Sequence, residues 1–223
     1  MMPVAMPKDA VCFIVGAGEV SANLSLTLRP DDLLIAADGG LLTAERMGLV
    51  PHLVIGDFDS LGGRPNHPNT VVLPTVKDDT DMCAAIRLGR ERGYTRFALY
   101  GGTGGRLAHT LANLQLLDGL AREDCRGFLV GDGTVATAVH GGALDFPAYM
   151  SGYLSVFCTS GRAEGVTLSG LKYELDNETL TGSFPLGVSN EFVGVSACVE
   201  VAHGVLLTLW QADDITDELL RTL

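Results

Sequence analysis

Hydrophobic positions in the first part of the chain come in short unbroken runs, each closed by glycine or aspartate and followed by a helical stretch or a loop. Runs this short and continuous match buried strands, at Val11–Val15, Leu33–Ala36, Leu53–Ile55, Val71–Leu73, Phe97–Tyr100 and Phe128–Val130. Between them, helices are expected over Leu41–Met47, Asp81–Arg92 and Arg106–Ala121. In the second helix Met82, Ala85, Ile86 and Gly89 form an inward stripe behind a Thr80 N-cap. In the third, Leu107, Leu111 and Leu114 form the expected buried face, with Arg106, His109, Thr110 and Asn113 on a polar one. Strands alternating with helices imply an α/β unit whose parallel sheet is covered on both faces. Such sheets collect ligands beyond the carboxyl ends of their strands, where Asp38, Asp57 and Gly101-Gly102 fall.

From about Val135 the texture changes to short alternating runs with turn signals and no helical period. Leu171, Tyr173 and Leu175 alternate with polar residues ahead of an expected Asp176-Asn177 turn, and Val199 and Val201 precede Ala202-His203-Gly204 and the run Val205–Trp210. An all-β unit follows, a small sandwich or barrel-like sheet. The expected boundary lies near Ala138–Gly142, dividing the chain into residues 1–137 and 138–223.

Composition narrows the class. Hydrophobic residues make up 47% and charged residues 19% of the 223, a globular balance, and no apolar run approaches the roughly 18 residues that span a bilayer. No membrane association is expected. Residues Met1 to Lys8 do not read as a signal peptide, so the expected location is cytoplasmic. The five cysteines lack a C-x-x-C pair and read as reduced thiols. A net charge of −12 argues against nucleic acid as a partner, because phosphate-backbone binding needs a basic face. An acidic protein can still bind a polyphosphate when metal ions bridge the two sets of negative charge.

Part of that acidity is concentrated in Ala37-Asp38-Gly39-Gly40, Gly56-Asp57-Phe58-Asp59-Ser60 and Lys77-Asp78-Asp79-Thr80-Asp81. Carboxylates crowded beside glycine at strand ends are costly unless a cation neutralises them, and their hard oxygens suit Mg²⁺. Asp57 and Asp59 would point to opposite sides of an extended chain, so a turn helped by Gly56 is needed to aim both at one ion; an Asx-turn capping the strand is the alternative. Helix capping accounts for Thr80 and one aspartate of the next segment, not for Asp78, Asp79 and Asp81 together. Lys77 is either a solvated charge or a phosphate contact. Gly101-Gly102-Thr103-Gly104-Gly105-Arg106 joins a strand to a helix, where backbone N–H groups meet anions, yet it fits neither G-x-G-x-x-G nor the P-loop pattern. The polar helix face behind it suits a polyphosphate or is a solvent-facing stripe. Gly187–Phe192 reads as a turn, with Ser189 and Asn190 offering groups that could serve a heterocycle. Trp210 reads as core or interface, and His52, His67, His140 and His203 lack metal-ligand spacing.

Taken in order, these segments together with Val188-Ser189-Asn190 resemble the thiamine pyrophosphokinase family, from Asp38 to about Leu209. The resemblance implies a Rossmann-like N-terminal domain, a C-terminal β-sandwich, and a homodimer with thiamine bound between subunits. It implies ATP as pyrophosphate donor with Mg²⁺, giving thiamine diphosphate and AMP. Carried onto matching positions, Asp57, Asp59 and Asp81 are the magnesium and catalytic carboxylates, with Asp38 close to the transferring group. Thr80, Gly101, Gly102, Gly104, Gly105, Arg106 and His109 fall among the nucleotide-binding positions, and Ser189, Asn190 and Lys77 among the substrate-binding ones. One position departs: the family continues x-Asp-His after Gly-Gly-Arg, where this chain has Leu107-Ala108-His109. A pyrophosphokinase with another acceptor, such as a hydroxymethylpterin, and a non-catalytic nucleotide-binding module are the competing readings.

Overall fold

A computed structural model of the protein describes residues 7, 9–20, 26–59, 62–75, 78–131, 133–212 and 217–223. Ser60 and Lys77 lie outside them. The described chain is mixed α/β, rich in strands and with few helices, and it forms two compact units. One comprises Met1–Asn113 and Leu129–Asp132; the other comprises Leu114–Phe128 and Gly133–Leu223.

The first unit holds β1 (Cys12–Val15), β2 (Leu33–Ala37), α1 (Gly40–Arg46), β3 (Leu53–Gly56), β4 (Thr70–Val72), α2 (Asp81–Glu91) and β5 (Arg96–Tyr100). It also takes the start of α3 (Leu107–Arg122) and the end of β6 (Arg126–Gly131). Strand order is β6-β5-β1-β2-β3-β4, and β5, β1, β2, β3 and β4 run parallel. Parallel strands covered on both faces need unbroken apolar sequence, and every residue of β1, β2 and β3 is buried. At the start of β2 the buried Asp32 caps two backbone donors, Val11 N at 2.9 Å and Arg29 N at 2.7 Å. The ring of His52 accepts from Leu34 N at 2.8 Å, so this histidine serves the backbone.

The third helix turns the opposite way from the sequence expectation. Leu107 and Leu111 are 72% and 54% exposed, while Asn113, Leu117 and Leu120 are buried. Residues 104–109 are exposed all round, so the first turn has no inner face for leucine to occupy. Asn113 then fixes the inward side, its Nδ2 donating to Gly102 O at 2.8 Å. Leucines at 107, 111, 114, 116, 117 and 120 circle the helix, which leaves their spacing unable to choose a face.

The second unit holds β7 (Thr134–Phe146), β8 (Tyr153–Cys158), β9 (Arg162–Ser169), β10 (Leu175–Thr181), β11 (Asn190–Glu191), β12 (Ala197–Gln211) and α4 (Asp217–Thr222). Its strand pairs are antiparallel, in the order β10-β9-β12-β7, with β8 joined to β12 and β11. The two apolar runs near the C-terminus are one strand, β12, whose register against β7 shifts between Val201 and Val205. Gly204 there has φ +93, and its α-hydrogen side faces Arg162 O, which a Cβ would meet at 2.6 Å. This bulge lets one strand serve two neighbours, pairing β9 before it and β8 after it. Asp176-Asn177 is likewise a bulge rather than a hairpin turn: Asn177 has φ 52 inside β10, where the register shifts against β9. Trp210 is buried at 1% exposure and meets Phe146 edge to face, with ring centres 5.2 Å apart. It is a core residue.

Within this unit Asp118 of α3 is held by Arg122 one turn on and by the hydroxyl of Thr159, at 2.5 Å, beyond β8. Partial burial pushes its carboxyl up, but the hydrogen bonds from Arg122 and Thr159 outweigh this and hold it below the ordinary 3.8. A carboxyl lowered on folding stabilises above its unfolded value, and that contribution is lost as pH falls through the folded value. Asp118→Ala is expected to cost about 1 kcal/mol at neutral pH. In thermal unfolding followed from pH 7 to pH 2.5, the gap between wild type and Asp118→Ala should narrow below pH 3.8.

Candidate functional site

Strand β2 ends at Ala37, and Asp38 turns into the left-handed region at φ 48 while its N–H donates to Ile55 O of β3 at 2.8 Å. Strand β3 ends one residue before Asp57. A Cβ on Gly56 would stand 3.0 Å from Asp38 Cα and 3.2 Å from its N and Cβ. Gly56 therefore works by making room for Asp38, and the turn falls two residues later. Phe58 makes it, at φ 61, a conformation costly for a bulky residue. Burial holds it there: Phe58 is 1% exposed in a cluster with Ala36, Leu41 and Val54. A buried, left-handed residue between Asp57 and Asp59 brings both carboxylates to one side, and Asp59 N also donates to Asp57 Oδ1 at 3.3 Å. The Asx-turn contact and the convergence of the two carboxylates thus coexist.

Asp38, Asp57 and Asp59 end with one carboxylate oxygen each within 4.8 Å of the others. Asp38 and Asp57 are part-buried and Asp59 is exposed. Oxygens this close, all anionic, form a donor set of the kind hard divalent cations take. The group contains two of the three carboxylates expected as metal ligands, with Asp38 in place of Asp81. Asp81 stands instead at the first position of α2, behind Thr80, whose hydroxyl accepts from Cys83 N at 3.1 Å. Asp79 is neutralised within the chain, its Oδ2 lying 2.6 Å from Arg87 Nη1. The excess charge read in this segment is smaller than the sequence suggested.

Beside the carboxylates runs a line of backbone contacts. A Cβ on Gly40 would lie 1.9 Å from Val15 O, and one on Gly16 would lie 2.9 Å from Gly101 O. Gly18 N donates to Gly101 O at 2.8 Å. The turn after β2, the loop after β1 and the glycine loop after β5 therefore touch main chain to main chain. Sequence reading missed Gly16 and Gly18; their signal was a Gly-x-Gly closing the first strand. In the 101–105 loop Gly101 and Gly102 are buried, while Gly104, Gly105, Arg106 and His109 are exposed. Thr103 tucks its Oγ1 inward, where it finds no hydrogen-bond partner among the described residues. The expected four-residue polar face does not form, since Asn113 faces inward.

In the second unit Ser189 is exposed with φ 58, and Asn190 is 1% exposed at the start of β11. These two expected acceptor residues are thus neighbours with opposite surroundings.

Comparison with known proteins gives first a class, the pyrophosphokinases. The model of the thiamin pyrophosphokinase catalytic domain matches residues 24–129, and that of the thiamin pyrophosphokinase vitamin B1 binding domain matches residues 143–206. The chain belongs to the thiamine pyrophosphokinase family. Thiamine pyrophosphokinase of Bacillus subtilis (strain 168) is 28% identical over 209 residues, which span 90% of this chain and 98% of that one. The crystal structure of a Bacillus subtilis thiamine pyrophosphokinase superposes with TM-score 0.79 at 26% identity, covering 92% of this chain and 100% of that one. One from Geobacillus thermodenitrificans gives TM-score 0.75 at 29% identity, covering 92% and 98%.

Gly56→Ala tests the geometry. The added methyl must push Asp38 or β3 aside, at an expected cost of about 1–3 kcal/mol in unfolding free energy. Divalent-cation affinity, read by titration calorimetry with Mn²⁺, should fall by at least about tenfold. Unchanged affinity would show that the approach of β3 to Asp38 does not set the site.

Proposed function

We propose that the chain is a thiamine diphosphokinase, transferring pyrophosphate from ATP to the hydroxyl of thiamine to give thiamine diphosphate and AMP. The observation that carries this reading is the convergence of Asp38, Asp57 and Asp59 at the carboxyl edge of a parallel sheet, in a chain of this family. Mg²⁺ fits the donor set: three carboxylates with oxygens within 4.8 Å of one another and no nitrogen or sulfur among them. When bound, the metal would supply charge neutralisation on the phosphate oxygens. Asp57 and Asp59 would hold it with Asp38, and Asp81 would approach from the α2 N-terminus.

The reaction forms a bond between the thiamine hydroxyl oxygen and the β-phosphorus of ATP and breaks the bond from that phosphorus to the oxygen retained by AMP. The hydroxyl proton needs an acceptor, and Asp38, one of the two part-buried carboxylates of the trio, is suited to take or orient it, worth on the order of 100-fold. Most of the remaining acceleration is positioning. Thr80, the Gly101, Gly102, Gly104 and Gly105 backbone, Arg106 and His109 serve the nucleotide phosphates, supported by the start of α3 directly after the loop. The exposed Arg106 and His109 are open to a ligand. Ser189, Asn190 and Lys77 serve the acceptor.

The first unit is read as a Rossmann-like catalytic domain and the second as a β-sandwich acceptor domain, divided near residue 137. Homodimerisation is supported by apolar side chains left in water on the second unit, including Tyr149 at 73% and Phe184 at 66% exposure. A cytoplasmic location is part of the proposal; separately, no helix among the described residues is long and apolar enough to cross a membrane.

Incubation with ATP, Mg²⁺ and thiamine should release AMP and thiamine diphosphate. Asp57→Asn should abolish that release while leaving the thermal midpoint unchanged or raised, because it removes repulsion within the trio. Full turnover by this variant would end the metal assignment. A faster reaction with a hydroxymethylpterin than with thiamine would move the assignment to another acceptor, and tight ATP binding without product would make the chain a non-catalytic module.

A further inference from the structure

Thr103 carries the one side chain among residues 101–105, the loop that joins β5 to α3. Its Oγ1 is buried and meets no hydrogen-bond partner among the described residues. The end of β6 is what buries it. A Cβ on Gly131 would collide with Thr103 Oγ1 and stand 3.3 Å from Thr103 Cβ and 3.5 Å from its Cγ2, so the hydroxyl fills the place where residue 131 would carry a side chain. The Thr103 main chain is fitted as closely against the loop after β1, where a Cβ on Gly18 would lie 2.6 Å from Thr103 O. Two glycines, one after β1 and one in β6, thus seat one threonine.

That seat suits a methyl group better than a hydroxyl. A hydroxyl donates one hydrogen bond and accepts two, and burial without any of them loses the water it would otherwise hold. Valine would fill the same space with nothing left unpaired. The hydroxyl therefore costs stability in the free protein, and the shape of threonine gives it a second place to go. Its Cβ carries a methyl beside the hydroxyl, and turning χ1 to another staggered well puts Cγ2 into the seat against Gly131 and frees Oγ1. Around the freed hydroxyl stand the exposed Gly104, Gly105 and Arg106 and the start of α3, whose first N–H groups lack intrahelical partners.

We propose that Thr103 is a two-position phosphate ligand of the glycine loop: its hydroxyl is stowed against Gly131 in the free protein and rotates out to donate to a phosphate oxygen of the pyrophosphate donor, while its methyl takes the vacated seat. This rests on the donor half of the reading above and not on the identity of the acceptor. Phosphate binding then satisfies a group that the free protein leaves unpaired, so part of the affinity comes from relieving a cost already present. The ligand atom is a phosphate oxygen because the groups beside the loop, N–H donors and a guanidinium, all favour an anion.

The test reads Kd by calorimetry on the full chain with Mg²⁺, for a non-hydrolysable ATP analogue and for inorganic tripolyphosphate, together with the thermal midpoint of the free protein. Thr103→Val keeps the shape and removes the hydroxyl; it should weaken both ligands about three- to thirtyfold while the free protein melts at the same or a higher temperature. Thr103→Ser keeps the hydroxyl and should bind both within about twofold of wild type. Unchanged affinity in Thr103→Val overturns the proposal, and so does binding by Thr103→Ser as weak as that of Thr103→Val. A lower melting temperature in Thr103→Val shows that the hydroxyl has a partner in the free protein and overturns the stowed position. A loss confined to the ATP analogue and absent for tripolyphosphate overturns the phosphate assignment. Wild-type protein that binds the analogue yet makes no product with thiamine overturns the acceptor reading and leaves this proposal standing; wild-type protein that binds neither ligand overturns the donor reading and the proposal with it.

Discussion

Three carboxylates with one oxygen each within 4.8 Å of the others repel at that range, and the backbone of the first unit brings them together. Steric and apolar contacts take part in that restraint. Phe58 is fixed by burial in a left-handed conformation that no isolated phenylalanine would choose, and Gly56 lets the end of β3 lie against the Asp38 backbone. Packing of the sheet and its covering helices in this way sets where the three carboxylates stand.

The same device continues sideways along the sheet edge. Successive loops after β2, β1 and β5 meet through glycine with no side chain between them, so the carboxylates and the glycine loop belong to one tightly packed rim. Fixed backbone N–H groups on one side and fixed carboxylates on the other are the two parts that metal-assisted phosphate chemistry needs, and rigid placement is most of what such chemistry asks of a protein. In the second unit the logic reverses: a buried amide, Asn190, is used up holding a backbone, and the surface it supports carries opposite charges and exposed aromatic rings.

The strands of the first unit were legible because a parallel sheet buried on both faces leaves no other use for runs such as Cys12–Val15 and Leu33–Ala37. Thr80 was legible for an equally local reason, since its N-cap bond spans only three residues to Cys83. Features that depend on distant partners were not. Which face of α3 turns inward depends on Asn113 finding Gly102 O, and a helix with leucine on every side carries no record of that choice. Asp79 looked like surplus charge because its partner Arg87 lies eight residues away, on the exposed side of α2, where several acidic and basic side chains compete for partners. Asp176-Asn177 and Ala202-His203-Gly204 carried true signals of left-handed backbone, but a bulge and a hairpin turn ask for the same residues, and only the neighbouring strand decides between them. For the carboxylates, the sequence showed that a turn was needed between Asp57 and Asp59; it assigned that turn to the glycine, where packing gives it to the phenylalanine.

The central claim is that Asp38, Asp57 and Asp59 jointly grip a divalent ion. Anomalous diffraction from crystals of the protein grown with Mn²⁺ and a non-hydrolysable ATP analogue examines it directly. The account predicts a manganese peak about 2 Å from carboxylate oxygens of at least two of the three, also in contact with phosphate oxygens of the nucleotide. A nucleotide-bound manganese peak seated elsewhere, with the three carboxylates left to water, would contradict it.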